Sequence, residues 1–146
     1  MKRNCKLKVS FSEIDLSGLS REPEEEKTQL FCNGEFEYDR EKGEYTVSYR
    51  QNNDEYSYND VVLKLKDDFS YAAVSTTGEI VGKMAFSGDH RRIYSRYDFG
   101  PGLTQNYVTT TRMLGGELDF AGGGEIYIDY LLENKTVNTK DRRAHV

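Results

Sequence analysis

The sequence predicts an all-β protein, built as one antiparallel β-barrel of about 8–10 strands connected mostly up-and-down. From Val61 to Glu133, apolar and polar residues alternate with a period of two, which is typical of half-buried strands. Gly, Asp and Asn interrupt the alternation at short intervals, as hairpin turns do. No part of this block has the 3.6-residue period of a helix. Closure into a barrel is favoured because it removes exposed sheet edges.

The chain begins with two alternating segments. The first, Cys5–Ser12, places its apolar residues on one face: Cys5, Leu7, Val9 and Phe11. The second, Lys27–Tyr38, has one face made of Leu30, Cys32, Gly34, Phe36 and Tyr38. An internal glycine in a curved sheet indicates a bend or a close approach of another backbone segment. Residues 13–26 are predicted to form a polar loop that contains the acidic run Glu22, Glu24, Glu25 and Glu26.

Five further strands follow at hairpin spacing. They are Glu44–Gln51, Asp60–Lys66, Tyr71–Ser75, Glu79–Ser87 and His90–Phe99. Their apolar faces include Leu63, Leu65, Met84 and Phe86. Bulky residues of this kind can fill a small barrel by themselves.

The remaining strands lie between glycine-rich breaks. Leu103–Leu114 is a Thr-rich strand, Gly115–Gly116 is predicted to turn the chain into Glu117–Phe120, and Ala121–Gly124 turns it again. Glu125–Glu133 has the clearest alternation, and Thr136–Lys140 is a last candidate strand. Residues 141–146 are polar and are expected to fray. The whole chain, residues 1–146, is therefore predicted to be one domain.

Composition limits the classes of function. The 146 residues carry a net charge of −5, which disfavours nucleic-acid binding, and eleven Tyr and seven Phe supply apolar area. No apolar run has the length of a membrane span or of a signal peptide, so we expect no membrane association and a cytoplasmic location. The cysteines, Cys5 and Cys32, fit free thiols there, but they could also be neighbours; the sequence leaves open whether they are paired.

From Val61 onward the chain carries a series of short motifs: Val61–Lys66, Gly78, Met84–Gly88, Tyr94, Gly100, Thr109–Thr111, Gly124–Tyr130 and Leu132. Together these motifs resemble the YwiB-like family of small bacterial proteins. They occur in the family's order and cover about two-thirds of the chain. The resemblance implies a calycin-like (lipocalin-like) barrel. It brings no activity with it, because the family is uncharacterised.

No catalytic, cofactor or metal signature is present. His90 and His145 have no Cys or His at zinc-ligand spacing, so both are interpreted as surface residues. The sharpest candidate site is a cationic patch: Arg92, Tyr94 and Arg96 share one face of a strand, with Arg112 and Lys83 on the strands that flank it in sequence. Inside a barrel these residues would bind a carboxylate or phosphate; on the outside they would simply face water.

Three hypotheses of function remain, and a non-enzymatic protein is favoured. The first is a barrel that binds a small apolar or amphipathic ligand. The second is a protein-interaction module, self-association into a homodimer being its simplest form. The third is an enzyme or binder that acts on an anionic metabolite through Arg92, Arg96 and Arg112.

Overall fold

The computed structural model describes residues 2–14, 25–52 and 57–135. Nine strands lie in these ranges: β1 (Lys2–Ile14), β2 (Glu25–Asp39), β3 (Glu44–Asn52), β4 (Tyr58–Lys66), β5 (Tyr71–Gly78), β6 (Val81–Ser87), β7 (Arg92–Asp98), β8 (Thr104–Asp119) and β9 (Gly123–Asn134). They form one sheet in which every strand pairs antiparallel with its neighbours in sequence.

The sheet curls into a half-barrel, and this confirms the predicted all-β, calycin-like, up-and-down fold. The curl brings the β8–β9 turn back onto the first strands. Arg3 donates to the carbonyls of Phe120 and Ala121 at 2.9 and 2.6 Å, and the hydroxyl of Tyr45 donates to Leu118 O at 3.2 Å. No helix occurs among the described residues, and so none there has the length and hydropathy that a membrane span requires.

Several predicted boundaries are wrong. The strand predicted at Tyr71–Ser75 continues to Gly78. Residues 13–26 do not form a loop throughout, because β1 continues to Ile14 and β2 begins at Glu25, with Glu13 opposite Glu26 in the ladder. Gly115–Gly116 does not turn the chain, because β8 continues through it and both glycines pair with β9. The predicted strand at Thr136–Lys140 and the tail lie outside the described residues.

The concave face of the sheet is organised in register rows that run across the strands. Because directly paired residues point to the same side, each row can be followed from one ladder to the next. One row, at the end where the β8–β9 turn docks, is Tyr38–Tyr45–Leu65–Ala72–Phe86. The next is Arg3–Phe36–Val47–Leu63–Val74–Met84, which we call the middle row. These rows match the apolar faces expected from the alternation.

The core lies at the end covered by the β8–β9 hairpin. Leu65, Ala72 and Phe86 are its most buried members. The hairpin packs four aliphatic side chains against them: Leu114, Leu118, Ile126 and Ile128. The half-barrel is therefore filled at this end by its own side chains.

The ladder between β6 and β7 is interrupted. Only Val81↔Asp98 and Gly82↔Tyr97 pair in this ladder. Beyond these two pairs, threonine side chains of β8 form hydrogen bonds with β6 instead. The hydroxyl of Thr109 donates to Ala85 O at 3.0 Å, and the hydroxyl of Thr111 accepts from Ser87 N at 3.0 Å. Two buried hydroxyls thus replace part of the missing backbone ladder.

Replacing Thr111 with valine keeps the side-chain shape but leaves the Ser87 N–H without its acceptor. We expect a loss of about 1–3 kcal/mol in the free energy of unfolding, because a buried donor then lacks a partner. Urea denaturation measures it. Thr110→Val is the matched control, since Thr110 has no hydrogen bond through its side chain among the described residues. Equal losses in the two variants would contradict the bridging role of Thr111.

Candidate functional site

A third register row crosses the concave face beyond the core. It runs through eight strands as Cys5–Gly34–Tyr49–Val61–Thr76–Gly82–Tyr97–Gln105, and we call it the belt row. Apart from Val61, which is buried, its members are half-buried. Hydroxyl, amide and thiol groups therefore lie beside the apolar middle row, on a surface that is partly open to solvent.

Glycines at two belt positions make room for neighbouring side chains. A Cβ on Gly34 would lie 2.6 Å from Leu7 Cδ1 and 2.5 Å from Ser48 O. A Cβ on Gly82 would overlap the ring of Tyr97. The Tyr97 ring thus packs flat over the backbone of β6, where the β6–β7 ladder ends.

The two tyrosines of the belt row, Tyr49 and Tyr97, are half-buried, so each keeps some contact with solvent. Burial raises the pKa of Tyr97 to about 12, and the nearby Tyr130 and Tyr107 raise it further, against the hydrogen bond from Thr76. Burial also raises the pKa of Tyr49. The hydroxyl of Tyr49 has no hydrogen-bond partner among the described residues.

The raised pKa of Tyr97 makes folding stability depend on alkaline pH. The folded state keeps this phenol neutral up to about pH 12, whereas the unfolded chain ionises it from about pH 10. The contribution of Tyr97 is therefore complete below about pH 10 and is lost as the pH rises towards about 12. Urea unfolding across this range should show a weaker pH dependence for Tyr97→Phe than for the native chain. Identical slopes would contradict the burial of this phenol.

The concave face of the curled sheet forms a trough. Surface depressions among the described residues include one at the β8–β9 hairpin around Glu117 and Tyr127 and another at the β2–β3 turn around Tyr38 and Arg40. Both are open to solvent, and neither includes a belt-row residue. A ligand of this protein would lie along the sheet surface.

Cys5 and Cys32 are both free. Cys5 pairs with Gly34 and Cys32 with Leu7, so the two thiols are diagonal neighbours on the concave face. Burial raises the pKa of both thiols, which keeps them protonated at neutral pH. They act here as small apolar side chains.

The predicted cationic patch lies on the outer face. Arg92, Tyr94, Arg96, Arg112 and Lys83 are all exposed. Arg92 lies 3.8 Å from Glu133 and Arg96 lies 3.9 Å from Asp98. The structure therefore does not place these side chains inside the barrel.

The chain has two histidines, His90 and His145. His90 is exposed, as expected, and its Nδ1 lies 2.8 Å from Thr111 O, in a turn where its φ is 63°. His145 lies outside the described residues. Within the described ranges, no three His, Cys, Asp or Glu side chains come together as a metal site.

Sequence reasoning missed the belt row. The alternation placed Tyr49, Gly82 and Tyr97 on apolar faces, but it could not align one strand with the next. The available signal was a glycine on each of two apolar faces, at Gly34 and Gly82. Glycines inside a strand often mark a bend or a close approach, and here the Leu7 and Tyr97 side chains occupy the space.

The family follows from comparison of the whole chain. A family model described as a domain of unknown function (DUF1934) matches residues 14–143. The chain belongs to this family. DUF1934 membership confirms the YwiB-like resemblance predicted from the motifs. The chain is also similar to the crystal structure of the ywiB protein from Bacillus subtilis, with a TM-score of 0.69 and 14% identity over 88% of this chain and 82% of that one. At this identity the likeness shows the fold alone. No curated protein matches the chain.

Proposed function

We propose that this protein is a non-enzymatic binder of a small amphipathic molecule, and that the belt row and the middle row form its binding surface. The observation that carries the proposal is the Tyr49 hydroxyl, which is partly desolvated on the concave face and lacks a partner among the described residues. A hydroxyl in this position gains a hydrogen bond when a polar group reaches it.

The two adjacent rows suit the two ends of such a ligand. Val47, Leu63, Val74 and Met84 are half-buried along the middle row, and the last three also pack against the core. Their remaining exposed surface is apolar. The belt row beside it offers the hydroxyls of Tyr49, Thr76 and Tyr97. A ligand whose apolar chain lies over the middle row and whose polar head lies over the belt row would match both rows. Ligand sites usually combine apolar lining with a few polar groups. We also propose a cytoplasmic location, which the two free cysteines support.

Fluorescence titration with 8-anilinonaphthalene-1-sulfonate, an amphipathic probe, tests this site. We expect saturable binding by the folded protein, and we expect Tyr49→Phe to weaken it about two- to tenfold because one hydrogen bond is lost. Tyr71→Phe is the matched control, since Tyr71 lies on the outer face of β5. Probe binding that is insensitive to Tyr49→Phe, or equally sensitive to both substitutions, would reject the concave site.

A second candidate function is self-association through the β1–β2 hairpin. Among the described residues, β2 pairs with β3 only from Gly34 to Asp39, so residues 25–33 pair with β1 alone and no described strand lies along their other edge. Phe31, in this segment, is 70% exposed. Unpaired strand edges bind other edges, and a second copy of this chain supplies an identical one for a two-fold dimer.

Sedimentation velocity over a range of concentrations tests the dimer. We propose a monomer–dimer equilibrium that Phe31→Ser shifts towards monomer, while Leu103→Ser, at an exposed residue in the β7–β8 turn, leaves it unchanged. A monomer at every concentration would rule out self-association.

A further inference from the structure

The outer face of β7 carries an exposed ring between two guanidinium groups. Arg92, Tyr94 and Arg96 alternate along the strand, and Tyr94 is 75% exposed. Lys83, on β6, is exposed directly after the two pairs, Val81↔Asp98 and Gly82↔Tyr97, at which the β6–β7 ladder ends. Arg112 is exposed at the bulge of β8. We call these five residues the Tyr94 face.

The cationic side chains of the Tyr94 face retain N–H groups that can donate hydrogen bonds to a ligand. Lys83 and Arg112 form no ion pair among the described residues. Glu133 lies closer to Lys135, at 2.8 Å, than to Arg92. Asp98 Oδ1 accepts from the Thr104 hydroxyl at 2.7 Å, and Arg96 lies farther away. The positive charge is therefore only partly neutralised, although the whole chain is acidic.

The ring of Tyr94 is largely exposed on the outer face. Tyr94 pairs across the ladder with Val108, which is fully buried. A ring that is 75% exposed leaves surface on which a ligand can stack.

We propose that the Tyr94 face is a second binding site, for a small anion that carries an aromatic ring, of the class of a nucleoside monophosphate. The ring stacks on Tyr94, and the phosphate takes forked hydrogen bonds from Arg92 or Arg96, two residues away on the same side of the strand. Two residues of strand span about 7 Å, and the sugar of a nucleotide separates its base from its phosphate by a similar distance. The site is distinct from the concave trough, since the two lie on opposite sides of the sheet.

A single nucleotide fits this face better than a nucleic-acid strand does. The basic residues flank one aromatic side chain, whereas single-stranded nucleic acid is bound by successive stacking rings along a basic groove. The net charge of −5 also repels a polyanion.

Isothermal titration with adenosine 5′-monophosphate, adenosine and inorganic phosphate tests the site. We expect the monophosphate to bind at least tenfold more tightly than either fragment. Arg96→Gln and Tyr94→Ala should each weaken it at least fivefold. The control is Arg40→Gln, at an exposed arginine in the β2–β3 turn, which should leave the affinity unchanged.

Three results would overturn this site. The first is equal affinity for phosphate and the monophosphate, which would mean non-specific attraction of anions. The second is unchanged binding in Tyr94→Ala. The third is tighter binding of a single-stranded oligonucleotide than of the monophosphate. All variants change exposed side chains, and circular dichroism is used to check that each variant remains folded.

Discussion

Substituting Gly116 with alanine is expected to lower the free energy of unfolding by about 3 kcal/mol or more. Gly116 has a φ of 138°, which costs a residue with a side chain about 1–3 kcal/mol by itself. An added Cβ would also overlap the carbonyl oxygen of Glu125 on the paired strand. Because backbone cannot rotate away as a side chain does, the β8–β9 hairpin must shift, and its aliphatic residues leave the core. Urea denaturation gives the difference.

The adjacent glycine supplies the control. Gly115 lies in the same strand, its φ is not positive, and an added Cβ would meet nothing within 4 Å. Gly115→Ala should therefore change stability by less than about 1 kcal/mol. A loss as large as that of Gly116→Ala would show that the hairpin does not depend on the geometry at Gly116.

Phe86→Ala is expected to have a similarly large effect, about 3–5 kcal/mol. Phe86 is 2% exposed, and its ring centroid lies 4.9 Å from that of Tyr130 on β9. The substitution leaves a cavity between β6 and the covering hairpin, and the side chains around it cannot all collapse into the space. Chemical denaturation of the purified variant measures the loss.

An exposed phenylalanine serves as the control, because it shows whether the loss of stability at Phe86 comes from burial or from the residue type alone. Phe31 is 70% exposed, so Phe31→Ala should change the free energy of unfolding by less than about 0.5 kcal/mol. Comparable losses at Phe86 and Phe31 would contradict the placement of the core at the β8–β9 end.

The alternation predicted the strands and their apolar faces, because side-chain direction has a strict period of two. It failed at Gly115–Gly116, where a pair of glycines that usually turns a chain instead lies within a long strand. The bulge between Thr111 and Met113 shifts the register there, and a bulge depends on the partner strand rather than on local sequence. The belt row could not be predicted for the same reason, because the pairing of Gly82 with Tyr97 depends on two strands and not on the local sequence of either.

The cationic patch illustrates a related limit. Period two placed Arg92, Tyr94 and Arg96 on one face, but it could not tell whether that face pointed inwards. The structure places it outside, while Tyr97 from the same strand points into the trough. The two faces of β7 thus carry different chemistry, cationic outside and phenolic inside.

The proposed amphipath site on the concave face is tested most directly by NMR. Amide chemical shifts of the labelled protein are followed during titration with 8-anilinonaphthalene-1-sulfonate. We expect the largest chemical-shift changes in the belt and middle rows, at Gly34, Tyr49, Thr76 and Gly82. We expect little change on the outer face around Lys64 and Ala73. Shifts confined to the outer face, or spread evenly over both faces, would contradict the proposed site.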